Sequence, residues 1–399
     1  MGIKIGFCGV GSFADSFIPL FKAHPRVTKL ILCDLDAAKL RQKAEKFDLP
    51  ETCPSLDNLC QTDVDAIAIF SQNWLHGPQA VQALNSGKHV YSAVPSAITP
   101  EEMTGIIDAV SESCKIYMLG ETSYYTAKAL YCRQRFQNGD FGEIVFGEGQ
   151  YYHDFDHGLY DVMKWRGGKD WRKYAGSPPM HYPTHSTSMI VSVTGAHATQ
   201  VSCLGWEDHH EDGIYRADSN IWQNTFSNES ALFRMSDGSI CRINEFRRIG
   251  HPGTEGVCLY GTKACYQEQP NGSVWATKNR NEMLELNEDL KCAGIPAEQI
   301  WGEFKGTEAS FIGVSKIHPV KRLPKEFVGL PNGHQGSHQF LVDDFVNACA
   351  DGELPPNHVW QAARYVIPGL VAHQSALENG KSLPVPDYGD PPANFKVRR

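Results

Sequence analysis

The stretch "IKIGFCGVGSFA", residues Ile3–Ala14, decides the fold of the first part of the chain. A short apolar run leads into a G-x-G-x-x-A spacing formed by Gly9, Gly11 and Ala14. The first glycine permits a tight turn, the second lets the backbone approach a pyrophosphate, and the alanine allows a helix to pack closely on a strand. The stretch therefore predicts a strand, a phosphate-binding turn and a helix.

Strand and helix patterns alternate over the first third of the chain. Strand-like segments occur at Ile3–Gly9, Thr28–Asp36 and Val64–Ser71, and again in "HVYSAV" and "KIYMLGE", with helical patterns between them. This alternation predicts a parallel sheet with right-handed crossovers. We expect an α/β protein whose residues 1–122 form a Rossmann domain.

Asp34 lies at the end of the second predicted strand, about 20 residues after the glycine motif. An acid there binds the adenosine ribose hydroxyls and repels a 2′-phosphate, and the following Leu35 offers no guanidinium to receive one. The pattern predicts NAD rather than NADP; the alternative is a Rossmann-like domain that binds no dinucleotide. The predicted cofactor contacts in this segment are Gly9, Gly11, Ser12, Phe13 and Asp34.

The pattern changes to alternating strands after residue 122. "ALFRMSDGSICRINEFRR", Ala231–Arg248, predicts a hairpin that turns at Asp237-Gly238. "GVCLYGTKACYQEQPNGSVWAT" predicts further strand pairings, with turns at Gly261 and at Asn271-Gly272. We expect residues 123–399 to form an α+β domain with a largely antiparallel open sheet and an oligomer interface.

Composition narrows the class of protein. The 399-residue chain has a net charge of −9, whereas nucleic-acid-binding proteins are usually basic. No apolar run approaches membrane-spanning length, no leader pattern is visible, and the 12 cysteines form no CxxC pair. We expect a cytoplasmic protein with reduced thiols that binds neither nucleic acid nor membrane.

The segment "FSQNWLHGPQAVQALNSGKHVYSAVPSAIT", Phe70–Thr99, resembles the Gfo/Idh/MocA family of sugar oxidoreductases. The resemblance continues through "NGDFGEIVFGEGQYYHD" and the closing helices. It implies that the N-x-x-H segment lies at the nicotinamide end of the cofactor, and that a lysine before a proline would be catalytic. This chain carries Val94 at the lysine position. The further cofactor contacts that the resemblance implies are Ser71, Asn73, His76, Val94 and Pro95.

The motif "YPTH", Tyr182–His185, resembles one branch of that family, the NAD-dependent glycoside hydrolases typified by α-N-acetylgalactosaminidases. It stands where many family dehydrogenases carry a G-G-G-x-L-x-D-x-G-x-H run. The resemblance implies that a tyrosine and a histidine of this motif reach the sugar.

A hydrolase of that branch oxidises C3 of the sugar, removes the C2 proton, eliminates the aglycone, adds water and reduces C3 again. Such a route needs bases for two protons and an acid for the leaving oxygen, and histidine and tyrosine suit these tasks. The segment "GQYYHDFDHG" offers further candidates, among them Tyr151, and we interpret His157 and His181 as structural. The predicted catalytic residues are His185, Tyr182, His153 and Tyr152.

The same histidines and aspartates could hold a divalent ion, but their spacing is not diagnostic and hydride chemistry requires none. We therefore predict no metal.

The segment "MKWRGGKDWRKYAG", Met163–Gly176, mixes basic and aromatic residues. One interpretation is a solvated loop. The other is a pocket for a sulfonate or carboxylate on the sugar, a hypothesis that the sulfoquinovosidases of the superfamily also suggest. The predicted substrate contacts are Trp165, Arg166, Lys169, Trp171 and Arg172.

These observations predict an NAD-dependent glycosidase that acts on a small carbohydrate and forms a homo-oligomer, a dimer or a tetramer. One alternative is an NAD-dependent sugar dehydrogenase in which His185 alone accepts the proton. Another is an inactive sensor that binds NAD or a sugar, which the missing lysine suggests.

Overall fold

The computed structural model describes residues 2–301 and 310–398. Its strands are β1 (Ile3–Cys8), β2 (Val27–Cys33), β3 (Thr52–Cys53), β4 (Ala66–Ile69), β5 (His89–Ser92), β6 (Tyr117–Leu119), β7 (Ile144–Tyr152), β8 (Ala198–Glu207), β9 (Phe226–Met235), β10 (Ile240–Phe246), β11 (Thr254–Gly261), β12 (Ala264–Gln269), β13 (Gly272–Thr277), β14 (Leu284–Glu285), β15 (Ile295–Pro296), β16 (Ser310–Phe311) and β17 (Leu383–Pro384). Its α-helices are α1 (Ile18–Ala23), α2 (Ala37–Phe47), α3 (Leu56–Cys60), α4 (His76–Asn85), α5 (Pro100–Ser113), α6 (Ala127–Gln137), α7 (Leu159–Gly167), α8 (Trp171–Ala175), α9 (Thr184–Thr194), α10 (Asn287–Leu290), α11 (Ala297–Trp301), α12 (Ser337–Asp351) and α13 (Val359–Leu377).

The first sheet has the strand order β3-β2-β1-β4-β5-β6, and its neighbouring strands run parallel. Strand β1 is apolar because helices cover it on both faces. A Cβ on Gly6 would meet Leu59 of α3 at 2.6 Å, while the next side chain, Phe7, packs on Phe21 of α1 with ring centroids 5.3 Å apart. The predicted Rossmann-type parallel sheet is confirmed.

Helix α5 shows how local sequence sets a boundary. Thr99 precedes the helix, and its hydroxyl accepts a hydrogen bond from the backbone N–H of Glu102 at 3.2 Å. Pro100 fills the first helical position, where no N–H is needed, and acidic side chains follow in the first turn. Thr99 therefore caps the first turn of α5.

The second sheet has the strand order β14-β13-β12-β11-β7-β10-β9-β8-β17. Among its described strands β7 and β10 pair in parallel, and the other pairings are antiparallel. The predicted hairpin is β9 and β10, and Gly238 at its turn has a φ of 88°. The predicted α/β fold, with a largely antiparallel open sheet in the second part, is confirmed.

Helix α9 packs closely on β7 because glycines face it. A Cβ on Gly149 would lie 2.5 Å from the carbonyl oxygen of Ser186, and a Cβ on Gly147 would lie 3.3 Å from the Ile190 side chain. These close approaches bring the start of α9 directly against the strand.

The basic and aromatic segment after β7 is not the solvated loop that one interpretation expected. It forms α7, a short 3-10 turn and α8. The sequence pattern hid the helices because two glycines, Gly167 and Gly168, interrupt them.

Contacts between Cα atoms group the chain into two compact units. The first unit combines Met1–Ala127, Asp289–Ala363 and Gly389–Arg399, and the second combines Lys128–Glu288 and Arg364–Tyr388. These groups of contacts do not test the predicted domains, 1–122 and 123–399, which stay a prediction.

Within the first unit, α12 packs on the residues of the glycine turn. The His338 ring of α12 stacks on Phe17 with ring centroids 4.2 Å apart. The Ser337 hydroxyl donates to the carbonyl oxygen of Thr122 at 2.5 Å. Residues far apart in sequence therefore complete the core beside β1.

Candidate active site

The glycine turn after β1 leaves room for a ligand. Gly9 has a φ of 89°, and a Cβ there would lie 2.7 Å from the backbone nitrogen of Ser71. A Cβ on Gly11 would meet nothing within 4 Å, so the space in front of this residue is open. The turn thus fits the pyrophosphate of a dinucleotide, which needs close backbone approach.

The next two residues of the turn face different surroundings. Ser12 is exposed, and its carbonyl oxygen accepts from the N–H of Asp15 at 3.2 Å. The Phe13 ring packs among aromatic rings, 5.2 Å from Phe17 and 5.8 Å from His338 between centroids. A cofactor contact of Phe13 would therefore use its backbone.

Asp34 follows β2, and the turn holds its carboxylate. One carboxylate oxygen accepts from the backbone N–H of Val10 and the other from that of Asp36, each at 3.0 Å. Lys39 of α2 also lies 3.0 Å from this carboxylate. The fixed acid fits a ribose diol, while Lys39 is a cation that the sequence analysis did not consider.

The predicted contacts at the nicotinamide end lie around His76. Its two ring nitrogens lie 3.1 Å from the carbonyl oxygen of Ser71 and 2.9 Å from that of Pro95, so the buried imidazole joins both segments. Asn73 begins a short 3-10 turn before α4, and Val94 is buried, 8% exposed. His76 therefore links the segments of Ser71 and Pro95, and its contact with the cofactor stays a prediction.

A cluster of two tyrosines and two histidines lies in the second unit, and we call it the Tyr–His cluster: Tyr151, His153, Tyr182 and His185. The Tyr151 hydroxyl lies 2.9 Å from Nδ1 of His153. The Tyr151 ring centroid is 5.2 Å from that of His185 and 5.9 Å from that of Tyr182, and the last two are 5.4 Å apart. Three of the four predicted catalytic residues are thus brought together around Tyr151.

Two elements position this cluster. Tyr151 lies near the end of β7 and His153 directly follows it, while His185 lies in the first turn of α9 and Tyr182 two residues before that helix. Gly149 brings the helix against the strand, as described above. His185 is buried, 3% exposed, and the other three are partly buried.

Tyr152, the fourth predicted catalytic residue, lies apart from the cluster. Its ring stacks on Phe246 with centroids 5.0 Å apart and meets the His251 ring at 5.2 Å. Successive side chains of a strand point to opposite faces, so Tyr152 faces away from Tyr151.

Burial and two nearby cations set the electrostatics of the cluster. Burial, followed by the charges of Arg247 and Arg166, lowers the pKa of His153 to about 4, so this ring is neutral near pH 7. A neutral ring can accept the Tyr151 hydroxyl proton at Nδ1. Burial likewise raises the pKa of Tyr151, and the Tyr182 hydroxyl adds to that rise.

Sequence reasoning did not single out Tyr151 as catalytic and did not find Arg247. The Arg247 guanidinium carbon lies 4.9 Å from the Tyr151 ring centroid, and this arginine is 6% exposed. The alternation of β7 predicts that Tyr151 and His153 share a face, which was the available signal for Tyr151. The sequence around position 247 carries no motif that marks Arg247 as a site residue, because its contact with Tyr151 forms between two paired strands.

The predicted substrate contacts of the basic segment separate in the structure. The guanidinium carbon of Arg166 lies 5.9 Å from the Tyr182 ring centroid. In contrast, Arg172 donates to the carbonyl oxygen of Asp212 at 2.9 Å, and its guanidinium carbon lies 5.0 Å from the Trp171 ring. Trp165 and Lys169 are exposed. Of these five residues, Arg166 is the one placed against the cluster.

Within residues 2–301 and 310–398, no group of three or more histidine, cysteine, aspartate or glutamate side chains is arranged to hold a metal ion. In the same part of the chain, no helix combines the length and apolar character needed to cross a membrane.

Comparisons with known proteins agree with this architecture. A family model described as an oxidoreductase family with an NAD-binding Rossmann fold matches residues 3–121. A glycosyl hydrolase family 109 protein of Shewanella sp. (strain W3-18-1) is 30% identical over 419 residues, covering 97% of this chain and 85% of that protein. One of Streptomyces filamentosus is 24% identical, covering 97% of this chain and 77% of that protein.

Solved structures share the fold at lower identity. Levoglucosan dehydrogenase in complex with NADH has a TM-score of 0.73 and 16% identity, covering 97% of this chain and 100% of that chain. Myo-inositol 2-dehydrogenase from Lactobacillus plantarum has a TM-score of 0.69 and 18% identity, covering 97% of this chain and 100% of that chain.

The glycine turn, the held acid and the family match define an NAD-binding oxidoreductase fold, and the prediction of NAD is confirmed. The chain belongs to the Gfo/Idh/MocA family and, within it, to the glycosyl hydrolase family 109 proteins.

Proposed function

We propose that the protein is an NAD-dependent glycosidase. The observation that carries the proposal is the Tyr–His cluster, which gathers several proton-transfer groups where a simple oxidation requires only one. The names of the relatives, glycosyl hydrolase family 109 proteins, support the same activity.

Bound NAD would accept a hydride from C3 of the sugar and return it at the end of turnover, so no net oxidation accumulates. The residues for holding it are those of the glycine turn and Asp34, which fit a dinucleotide as described. The remaining steps are proton transfers, and they fall to side chains of the chain itself.

We assign these transfers to the Tyr–His cluster. His153, neutral near pH 7, and the Tyr151 hydroxyl bonded to it form a pair that takes and returns the proton of a sugar hydroxyl. Tyr182 and His185 are assigned to the C2 proton and to the leaving oxygen, since their rings lie side by side in the same cluster with centroids 5.4 Å apart. Val94 takes no part, because a valine has no exchangeable side-chain proton.

The substrate is proposed to be a small glycoside. Arg166, beside Tyr182, would receive an anionic substituent of the sugar if one is present. Cytoplasmic location and a homo-oligomer, a dimer or a tetramer, remain predictions.

A panel of nitrophenyl glycosides tests the proposal, with the bound cofactor identified by mass spectrometry. We expect release of nitrophenol without accumulation of NADH. The released sugar should carry deuterium at C2 after turnover in heavy water, because that proton is removed and replaced. One NADH formed per sugar would instead identify a sugar dehydrogenase, and cofactor binding with neither reaction would identify a sensor.

A further inference from the structure

Glu245 of β10 is a fully buried carboxylate, 0% exposed, beneath the Tyr–His cluster. Its neighbours across the sheet are Tyr151 of β7 and Glu229 of β9, since Glu245 is the register partner of both. Register partners on adjacent strands point to the same face. Glu245 therefore lies on the face of the sheet that carries Tyr151 and that α9 covers.

Two hydrogen bonds connect this carboxylate to the cluster. One oxygen accepts a hydrogen bond from the hydroxyl of Ser186, the residue that follows His185 in α9. The other accepts from Nη2 of Arg247 at 3.0 Å. That same guanidinium donates to the carbonyl oxygen of Tyr151 at 3.3 Å and lies over its ring.

We propose that Glu245 is a positioning residue that holds His185, through Ser186, and Tyr151, through Arg247, in their catalytic arrangement. The inference rests on the proposed function, since it assigns a supporting role in the same site. Glu245 is not assigned a direct step, because both of its oxygens are engaged by Ser186 and Arg247.

The charge of Glu245 gives this role a measurable signature. The charged or titratable groups that face it are Arg247 directly after its own strand, Tyr151 on β7, Glu229 on β9 and His185 on α9. Burial raises the pKa of the Glu245 carboxyl to about 7, although Arg247 and Ser186 oppose the rise. Protonation of Glu245 leaves the Arg247 charge over Tyr151 without its counter-charge.

Glu229, the buried carboxylate beside Glu245 on the neighbouring strand, has different partners. Glu229 accepts from the backbone N–H of Met180 at 2.8 Å and lies 2.7 Å from Nδ1 of His373. It therefore holds the turn before Tyr182, while Glu245 holds the helix after it.

The experiment compares kcat and KM for wild type, Glu245→Gln and Glu245→Asp across about pH 5–9. We expect Glu245→Gln to lower kcat by about 10²-fold with KM and NAD affinity retained, and to remove the inflection near the Glu245 pKa. Glu245→Asp, which keeps the charge, should recover part of the loss. Glu148→Gln, on the opposite face of β7 and paired with Arg242, is the control. Wild-type kcat and pH profile in Glu245→Gln would overturn the proposal.

A second arm does not depend on turnover. In protein labelled with ¹³C-histidine, the His185 resonance, assigned by its loss in His185→Ala, should sense the titration of Glu245 in wild type and not in Glu245→Gln. Identical curves would overturn the proposal even if no glycoside is cleaved, so its failure differs from failure of the proposed function. If Glu245→Gln does not fold, Ser186→Ala, which removes the link from Glu245 to α9, takes its place: we expect it to lower kcat and to weaken the response of the His185 resonance, and wild-type behaviour in both would overturn the proposal.

Discussion

Val94 stands where the family that the chain resembles carries a catalytic lysine, and it is almost fully buried beside Pro95. A buried valine can pack against a cofactor but cannot exchange a proton. Proton transfer must then come from other side chains, and Tyr182 and His185 lie together in one short motif. At the residue scale, the proposed function therefore assigns two of its proton transfers to this pair.

We expect His185→Ala and Tyr182→Phe each to lower kcat by about 10²–10⁴-fold, the usual effect of removing a positioned acid or base. Both variants should still bind NAD, because neither residue belongs to the first unit. Steady-state kinetics and cofactor titration check this expectation. The same exchange at Tyr152, which stacks on Phe246, is the matched comparison, and an equal loss there would contradict the assignment of Tyr182.

Asp34 is the residue that we predict sets the choice between NAD and NADP. We expect Asp34→Ala to weaken NAD and to admit NADP, because Lys39, 3.0 Å from the carboxylate, would then be available to a 2′-phosphate. The double variant Asp34→Ala/Lys39→Ala should bind both cofactors weakly. Fluorescence titration of the wild type and both variants with each cofactor measures this, and equal affinity of the wild type for both cofactors would refute the role of Asp34.

At the scale of elements, the sequence predicted those strands and turns that a regular pattern of apolar residues determines. Strand β1 and the β9–β10 hairpin follow from apolar runs and a glycine turn. The two-residue strand β3 was missed, because so short an edge strand has no period. Helices α7 and α8 were missed because two glycines interrupt their pattern and because packing around Trp171 and Tyr160, rather than propensity, stabilises them.

The site residues likewise divide into those that local sequence predicts and those that only the tertiary structure brings together. The glycine turn and Asp34 could be read from local spacing, which a Rossmann turn dictates. Tyr182 and His185 rested on a resemblance, and no periodicity in the sequence would have joined them to Tyr151. Arg247 lay beyond sequence reasoning, since it reaches the cluster only through the pairing of β7 with β10.

The contact between β7 and α9 yields a prediction at this scale. We expect Gly149→Ala to cost about 1–3 kcal/mol in the free energy of unfolding and to reduce kcat, because its methyl group would press on the Ser186 carbonyl and shift α9. Gly256→Ala in the adjacent β11 is the control, since the nearest atom to its new Cβ lies at 3.7 Å. Denaturant unfolding and kinetics of both variants decide the matter; equal effects would disprove the close-packing argument.

Helices α7 and α8 offer a matched pair of arginines. We expect Arg166→Ala to raise KM for an anionic glycoside and to spare a neutral one, because Arg166 lies against Tyr182. Arg172→Ala should affect neither substrate, since Arg172 bonds to the Asp212 carbonyl. If Arg166→Ala leaves KM unchanged for both substrates, Arg166 has no role in anion binding.

At the scale of the whole molecule, buried neutral histidines link stability to pH. His89 accepts a hydrogen bond from the backbone N–H of Ile116 at 3.0 Å, and burial lowers its pKa to about 3. Burial lowers the pKa of His318 to about 4. The unfolded chain binds these protons near pH 6.5 and the folded chain does not, so stability is present above that pH and is lost as pH falls toward 4.

We expect each of these rings to lower the free energy of unfolding by about 2 kcal/mol as the pH falls from about 7 to about 5. Thermal unfolding across this range measures the slope. His89→Gln keeps an acceptor for Ile116 without a titrating ring, and it should flatten the slope. His209→Gln, at an exposed position, should leave it unchanged; an unaltered slope in His89→Gln would assign the effect to other groups.

The first unit draws on three separate stretches of chain, and α12 covers Phe17 only when the second stretch is present. During synthesis the ribosome releases the glycine turn and β1 long before it releases residues 337–351. In the nascent chain, Phe17 therefore lacks its contact with α12 until residues 337–351 have been made. An apolar surface exposed during that interval is the kind that chaperones bind. The order of these stretches along the chain therefore delays completion of the first unit: the segment that is synthesised first is completed only after a much later stretch has been made.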